Sequence, residues 1–315
     1  MHALIESAIA GDVRALGKAL SVIEDSTPEL TQLLADTPET GSAQIIGITG
    51  PPGVGKSTTT GALISEYRKQ NLRVAVLAID PSSPVTGGAL LGDRIRMQEH
   101  ALDEGVFIRS MSSRGQLGGL SSATQAASKV LDAVGFDVVI VETVGVGQSE
   151  VDVVNAVDTV VLVLAPGAGD GVQAAKAGIL EIADIFVVNK ADRDGAEGVV
   201  RELRSMIGLG SRPANLWTPE IVTTTATTGQ GLPELVSAIS SHQKWAIASG
   251  DRVARAITRA NLNLRRAVMT TISENLDLNQ QHVAQLSIQV AKGEITTANA
   301  VTVLLQEIMS NSSNS

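Results

Sequence analysis

The sequence contains no cysteine, and only 2% of its residues are aromatic. The first absence excludes disulfides and any thiolate metal site. The second means that a core must be built from Val, Ile, Leu and Ala, the residues of buried parallel strands. Cations are also scarce: 24 Lys and Arg stand against 33 Asp and Glu, a net charge of −9. A nucleic-acid surface needs clustered cations and stacking aromatics, so that class of partner is excluded. The histidines His2, His100, His242 and His282 are scattered rather than paired. No run of about 18 apolar residues is present to span a bilayer. The N-terminus, MHALIESAIAGDVRALGKAL, lacks the apolar stretch and cleavage site of a signal peptide. A cytoplasmic protein with no membrane partner is therefore expected.

What is present is a chain of 315 residues, enough for one α/β domain with helical extensions. Leu4, Ile5, Ala8, Ile9, Val13, Leu16 and Leu20 recur at helical spacing and predict one amphipathic helix over 3–21. A second helix near Glu29–Leu34 and a linker, Thr37–Ser42, complete an N-terminal arm, residues 1–43. Strands are predicted at 44–49, 73–79, 136–141, 158–165, 184–188 and 220–224, alternating with helices. That alternation implies a mainly parallel sheet covered by helices on both faces, within a domain spanning 44–240. Residues 82–122, rich in Gly, Ser and Arg (Arg94, Arg96, Arg109, Arg114), read as a mobile cover or a solvated loop. From Leu232-Pro233 the pattern is helical; residues 241–315 form a C-terminal helical arm whose polar tail, Ser310–Ser315, is expected to be disordered.

Gly50-Pro51-Pro52-Gly53-Val54-Gly55-Lys56-Ser57 fits G-x-x-x-x-G-K-[ST]. An apolar strand precedes it and a helical stretch, beginning at Thr58, follows. Such a turn aims several backbone N–H groups at one spot beside the positive end of a helix dipole, where phosphates bind. Lys56 is expected to reach the β/γ-phosphates and the Ser57 hydroxyl to ligate Mg²⁺. This fold class is the P-loop NTPase.

Asn189-Lys190-Ala191-Asp192 follows a later strand, at its C-terminal end, where open α/β sheets bind ligands. Asp192 can accept from both guanine N1–H and the exocyclic amine, which adenine cannot reproduce. Asn189 is expected to hold the base edge, with the Lys190 stem along the ring. Thr225-Ala226, after another strand, sits where a backbone amide meets the base oxygen. GTP and GDP are the expected ligands.

Asp80 and Glu142 each stand where a strand ends, and a carboxylate there is a partner for Mg²⁺. Asp93, in a Gly- and Ser-rich loop, either closes over the metal or is a solvated aspartate. Glu142-Thr143-Val144-Gly145 resembles the D-x-x-G of guanine-nucleotide switches, and Gly145 can offer its N–H to the γ-phosphate. Ras-like GTPases place a Gln directly after that glycine to orient water. Here Val146 takes the position and Gln148 comes later, so slow intrinsic hydrolysis is expected.

Taken together, GPPGVGKST, AIDPSSP, GGALLGDRIRM, VETVGVGQSE, APGAGDGVQAAKAG and ADIFVVNKAD resemble the MeaB/ArgK family of P-loop GTPases. The resemblance implies a GTP-hydrolysing chaperone of an adenosylcobalamin-dependent acyl-CoA mutase, above all methylmalonyl-CoA mutase. It would gate cofactor loading and protect the mutase from inactivation. It also implies that Asp80, Asp93 and Glu142 build the metal and switch site and that Arg96 is a mobile cation near the phosphates. Asp170–Lys176 would form a further switch loop meeting the mutase, with Lys176 supplying activating charge, and the C-terminal arm would support a homodimer. Three other readings compete. A nickel-insertion GTPase of the hydrogenase or urease type would need the Cys/His motif that is absent. A transport-associated ATP-using kinase conflicts with the guanine pattern. Signal-recognition-type targeting lacks a Met-rich module, with Met only 6 in the chain.

Overall fold

A computed structural model describes residues 1–25, 27–80, 100, 102–112, 119–143, 156–167, 182–209 and 216–312. The first helices show how local chemistry sets boundaries. Helix α1 (Ala3–Ile9) is capped by His2, whose Nδ1 accepts the Leu4 N–H at 3.3 Å. Gly11, at a left-handed φ of 100°, ends that run. Asp12 then opens α2 (Val13–Asp25) by accepting the Arg14 and Ala15 N–H groups at 2.8 and 3.2 Å. The single helix expected over 3–21 is therefore two, because a Gly-Asp pair inside one apolar period stops and restarts the backbone. A short α3 (Leu30–Ala35) follows.

Seven strands form one parallel sheet: β1 (Gln44–Thr49), β2 (Val74–Asp80), β3 (Val106–Ser112), β4 (Val138–Thr143), β5 (Thr159–Leu164), β6 (Ile185–Asn189) and β7 (Glu220–Thr224). Their order is β3-β2-β4-β1-β5-β6-β7. The fold class expected from the alternation of elements is the one observed, with one correction. The six expected strands omit β3, which lies inside the Gly-, Ser- and Arg-rich stretch expected to be a cover or loop. Its central Arg109 hides the strand signal, and the structure shows why that cation is tolerated. Arg109 donates to the Gly17 carbonyl, the Ser21 hydroxyl and the Glu24 carboxylate of α2 at 3.0, 3.1 and 2.9 Å.

Helices cover both faces, as a parallel sheet requires. On one face α2 and α5 (Gly119–Ala133) bury Leu16, Leu20 and Leu131 against Leu77, Val139 and Val141. On the other, α4 (Lys56–Lys69) contributes Leu63 and Ile64 beside Ile46, Ile48, Val161 and Val163. Helix α6 (Ala196–Leu209) sets Leu203 against Leu162, Phe186 and Val188. Helix α7 (Leu232–Ser249) adds Leu235 and Ile239 to the α4 side. Each fully buried side chain of this kind contributes about 1.5–3 kcal/mol.

The chain divides into two compact units, Met1–Arg255 and Ala256–Ser315. Helix α8 (Asp251–Leu278) begins in the first and ends in the second. The second also holds α9 (Gln280–Ala291) and α10 (Thr297–Ser312), joined by a 2.6 Å contact between His282 Nδ1 and Glu307 Oε2. Among the described residues, no helix is long and apolar enough to cross a membrane.

Candidate functional site

The central strand β1 delivers residues 50–55 to the N-terminus of α4, and two glycines there are required sterically. Gly50 has φ 143°, and a Cβ on it would collide with the Val163 carbonyl of β5. Gly55 caps α4 at φ 98°, and a Cβ there would collide with the Asn189 amide. Lys56 is buried and folds across the loop, its Nζ donating to the carbonyls of Gly50 and Pro51 at 2.7 and 3.1 Å.

Ser57, next in the chain, donates its hydroxyl to Glu142 Oε1 at 2.6 Å, with both residues buried. The contact follows from strand order. β4 lies directly beside β1, with Glu142 in register with Ile48, so the carboxylate arrives next to the first turn of α4. One residue further along each strand, the Thr143 hydroxyl donates to that of Thr49 at 3.1 Å. A buried hydroxyl and carboxylate side by side are hard oxygen donors, the set that fits Mg²⁺.

Asn189, the last residue of β6, ties two loops together. Its Nδ2 donates to the Val54 carbonyl at 2.9 Å. Its Oδ1 accepts from the Thr224 hydroxyl at 3.2 Å and from the Ala226 N–H at 3.1 Å. The two groups expected at a base, Asn189 and the Ala226 amide, therefore touch each other in this structure. Lys190 adopts a left-handed φ of 57°, rare for a residue with a side chain, and its Nζ reaches the Gly53 carbonyl at 2.7 Å. Asp192 is exposed two residues on. Thr225 pairs with Gln230 across a tight turn, and Gly231 must be glycine because a Cβ would strike the Thr223 carbonyl.

Residues from β1, β4, β6 and β7 thus meet at the C-terminal ends of the strands, joining the Gly50–Ser57 loop to Asn189-Lys190 and Thr225-Ala226. Pro51, Pro52 and Thr58 belong to the same loop and helix start. Asp80 closes β2 opposite Ser112. Asp93, Arg96, Gly145, Val146, Gln148 and Lys176 lie outside the described residues. Two features had no signal in a local motif: the Thr49–Thr143 hydroxyl contact and the bracing role of Asn189. The hydroxyls at two strand ends become informative only once β1 and β4 are known to be neighbours.

The sequence profile of a family described as methylmalonyl Co-A mutase-associated GTPase MeaB matches residues 16–281. A protein of Pyrococcus horikoshii named as a GTPase is 46% identical over 309 residues, covering 97% of this chain and 98% of that protein. The mitochondrial methylmalonic aciduria type A homolog of Mus musculus is 34% identical over 271 residues, 84% of this chain and 65% of its own. Among solved structures, that of a LAO/AO transport system kinase superposes with a TM-score of 0.70 at 28% identity, covering 98% of this chain and 99% of that one.

Proposed function

The chain belongs to the MeaB family of methylmalonyl-CoA mutase-associated GTPases, and from that premise we propose that it gates adenosylcobalamin loading of an acyl-CoA mutase, methylmalonyl-CoA mutase, and protects that enzyme from inactivation. The observation that carries this reading is the joining of a phosphate loop to a guanine-type motif. Asn189 and Lys190 each hold a carbonyl of the Gly50–Ser57 loop, which supports a shared site for phosphates and base.

In this mechanism the N–H groups of the loop and α4's first turn cradle the phosphates. Lys56 exchanges the Gly50 and Pro51 carbonyls for β/γ-phosphate oxygens. Ser57 and Glu142 would hold Mg²⁺, with Asp80 and Asp93 as the remaining carboxylates. The chemistry that such an ion would supply there is neutralisation of phosphoryl charge. Asp192 accepts from guanine, the Lys190 stem covers the ring, and Thr225-Ala226 lie beside the base oxygen. Gly145 senses the γ-phosphate. Arg96 and Lys176 supply positive charge to the transition state, Lys176 from the Asp170–Lys176 loop when the mutase meets it.

Because Val146 stands where a water-orienting Gln would, the isolated protein turns over slowly and the partner completes the site. Residues 241–315 form a dimerisation arm, supported by the exposed Ile257, Leu264 and Val268 along one stripe of α8. A cytoplasmic location belongs to the same reading. GTP turnover measured with and without methylmalonyl-CoA mutase tests it: slow basal hydrolysis should rise with the mutase, and no rise would remove the chaperone role. The likeness to a LAO/AO transport system kinase supports a second reading, an ATP-using kinase linked to transport. Equal affinity for ATP and GTP, or phosphate transfer to a protein, would select it.

A further inference from the structure

The Gly50–Ser57 loop lies at the C-terminal ends of the strands. At their opposite ends, where β2, β3 and β4 begin, a cavity of about 350 Å³ opens beneath the α1–α2 turn. Its walls are apolar: Leu16, Val106, Phe107, Val134 and Phe136. Two of the chain's 3 Phe are here, with ring centroids 6.1 Å apart. The volume is at the lower end of the range for ligand pockets, about 300–1,000 Å³, and suits a bulky side chain.

Its rim is unusual. Leu102 is 96% exposed and Val13 is 64% exposed, and both line the opening. A small molecule seated inside would leave these two in water. A protein surface laid over the mouth would cover them, in the arrangement of a hot-spot pocket with a water-excluding surround.

Carboxylates outnumber cations at the mouth, with Asp12, Asp103 and Glu104 against Arg73. Arg73 lies 4.6 Å from the Phe136 centroid and donates to the Val134 and Gly135 carbonyls at 2.9 and 3.2 Å. Asp103 is held by Arg68 through contacts of 2.8 and 2.9 Å. The other two carboxylates, Asp12 and Glu104, are exposed, and neither has an ion-pair partner among the described residues. A complementary surface carries cations around its apolar anchor.

We propose that this cavity is a docking site for the mutase, which inserts one bulky apolar side chain and sets Lys or Arg against Asp12 and Glu104. The proposal rests on the mutase-associated reading above and adds a second point of attachment to it. Because the cavity and the nucleotide loops occupy opposite ends of the strands, this attachment is independent of the bound nucleotide. It tethers the partner through the GTPase cycle while the switch loops engage and release.

The test is calorimetric titration of full-length Leu102→Glu, Glu104→Lys and Leu102→Met variants with methylmalonyl-CoA mutase, once with GDP and once with a non-hydrolysable GTP analogue. Leu102→Glu should weaken binding about tenfold or more, and Glu104→Lys about threefold with a shallower salt dependence. The same factors should appear in both nucleotide states, Leu102→Met should bind as the parent does, and basal GTP turnover should be unchanged in all three. Parent-like affinity of both charge variants overturns the cavity proposal and leaves the mutase reading intact. A loss confined to one nucleotide state also overturns it, because the effect then belongs to the switch. Failure of the unaltered protein to bind the mutase overturns both.

Discussion

Lys56 folds back over its own loop, with its ammonium against the carbonyls of Gly50 and Pro51. Lys56→Ala leaves those two carbonyls without this donor and removes the cation proposed to meet the phosphates. GTP turnover should fall by about 10²-fold or more, measured as phosphate release, and an unaltered rate would remove Lys56 from the site. Asp192 is exposed and two residues beyond the strained Lys190, so its carboxylate is available to a base without disturbing the core. Asp192→Asn should shift preference from guanine toward xanthine nucleotides, read from competition binding. Unchanged GTP affinity would show that the base is held elsewhere. Both proposed roles are read from the sequence because each depends on a few consecutive residues. The bracing role of Asn189 was not legible, since its partners Val54, Thr224 and Ala226 come from the Gly50–Ser57 loop and from the end of β7 and the turn after it.

Among the elements, β6 links two different environments. Asn189 ends it at the nucleotide loops, and Asp184 precedes it at the opposite end. Asp184 is buried and accepts from the Val160 N–H at 2.8 Å and from both terminal nitrogens of Arg255 at 3.0 and 2.8 Å. His242 Nε2 lies 3.2 Å from the same carboxylate, and His242 Nδ1 is 2.9 Å from the Thr159 hydroxyl. Burial alone would raise the Asp184 pKa, but the bonds to His242 and Arg255 outweigh it and hold the group below the usual carboxylate range. A depressed folded-state pKa means that the stabilisation is present above the unfolded carboxylate value, about 3.9, and is lost as pH falls through the folded value.

Asp184→Asn should flatten that acid limb and destabilise the protein at neutral pH by about 3 kcal/mol, since Arg255 would lose a largely buried partner. Urea unfolding would report it through Trp217 and Trp245, which pack 5.1 and 5.8 Å from the His242 ring. An unchanged midpoint would show that the cluster is not stabilising. Of these elements the strand itself was legible, as a run of apolar residues. The cluster was not, because Asp184, His242 and Arg255 look like isolated polar residues until three elements converge. The omission of β3 has a related cause: its Arg109 breaks the apolar pattern, and its bonds to α2 are invisible in the local run.

For the whole molecule, the proposed partner and dimer set the expectations. Lys176→Ala should reduce mutase-stimulated hydrolysis while sparing the basal rate, and an equal loss of both would take the activating role away from it. Leu264→Glu, on the exposed stripe of α8, should shift the protein toward monomer in analytical ultracentrifugation, while an unaltered sedimentation coefficient would place the dimer contact elsewhere. The phosphate loop, the guanine motif, the family and the α/β class were determined by the sequence alone. Each resides in short runs whose backbone needs and side-chain chemistry are local, such as glycines at positive φ or the Asn-Lys-Ala-Asp run at 189–192. Long-range packing, by contrast, set the meeting of Ser57 with Glu142, 85 residues away, and the hold of Asn189 on Val54, 135 residues away. It also decided that β3 joins the sheet and that an apolar cavity opens at the far ends of its strands. The physical reason is strand order: β4 lies beside β1 and β3 takes the edge, and that order arises from packing both sheet faces at once, which no local run of residues encodes.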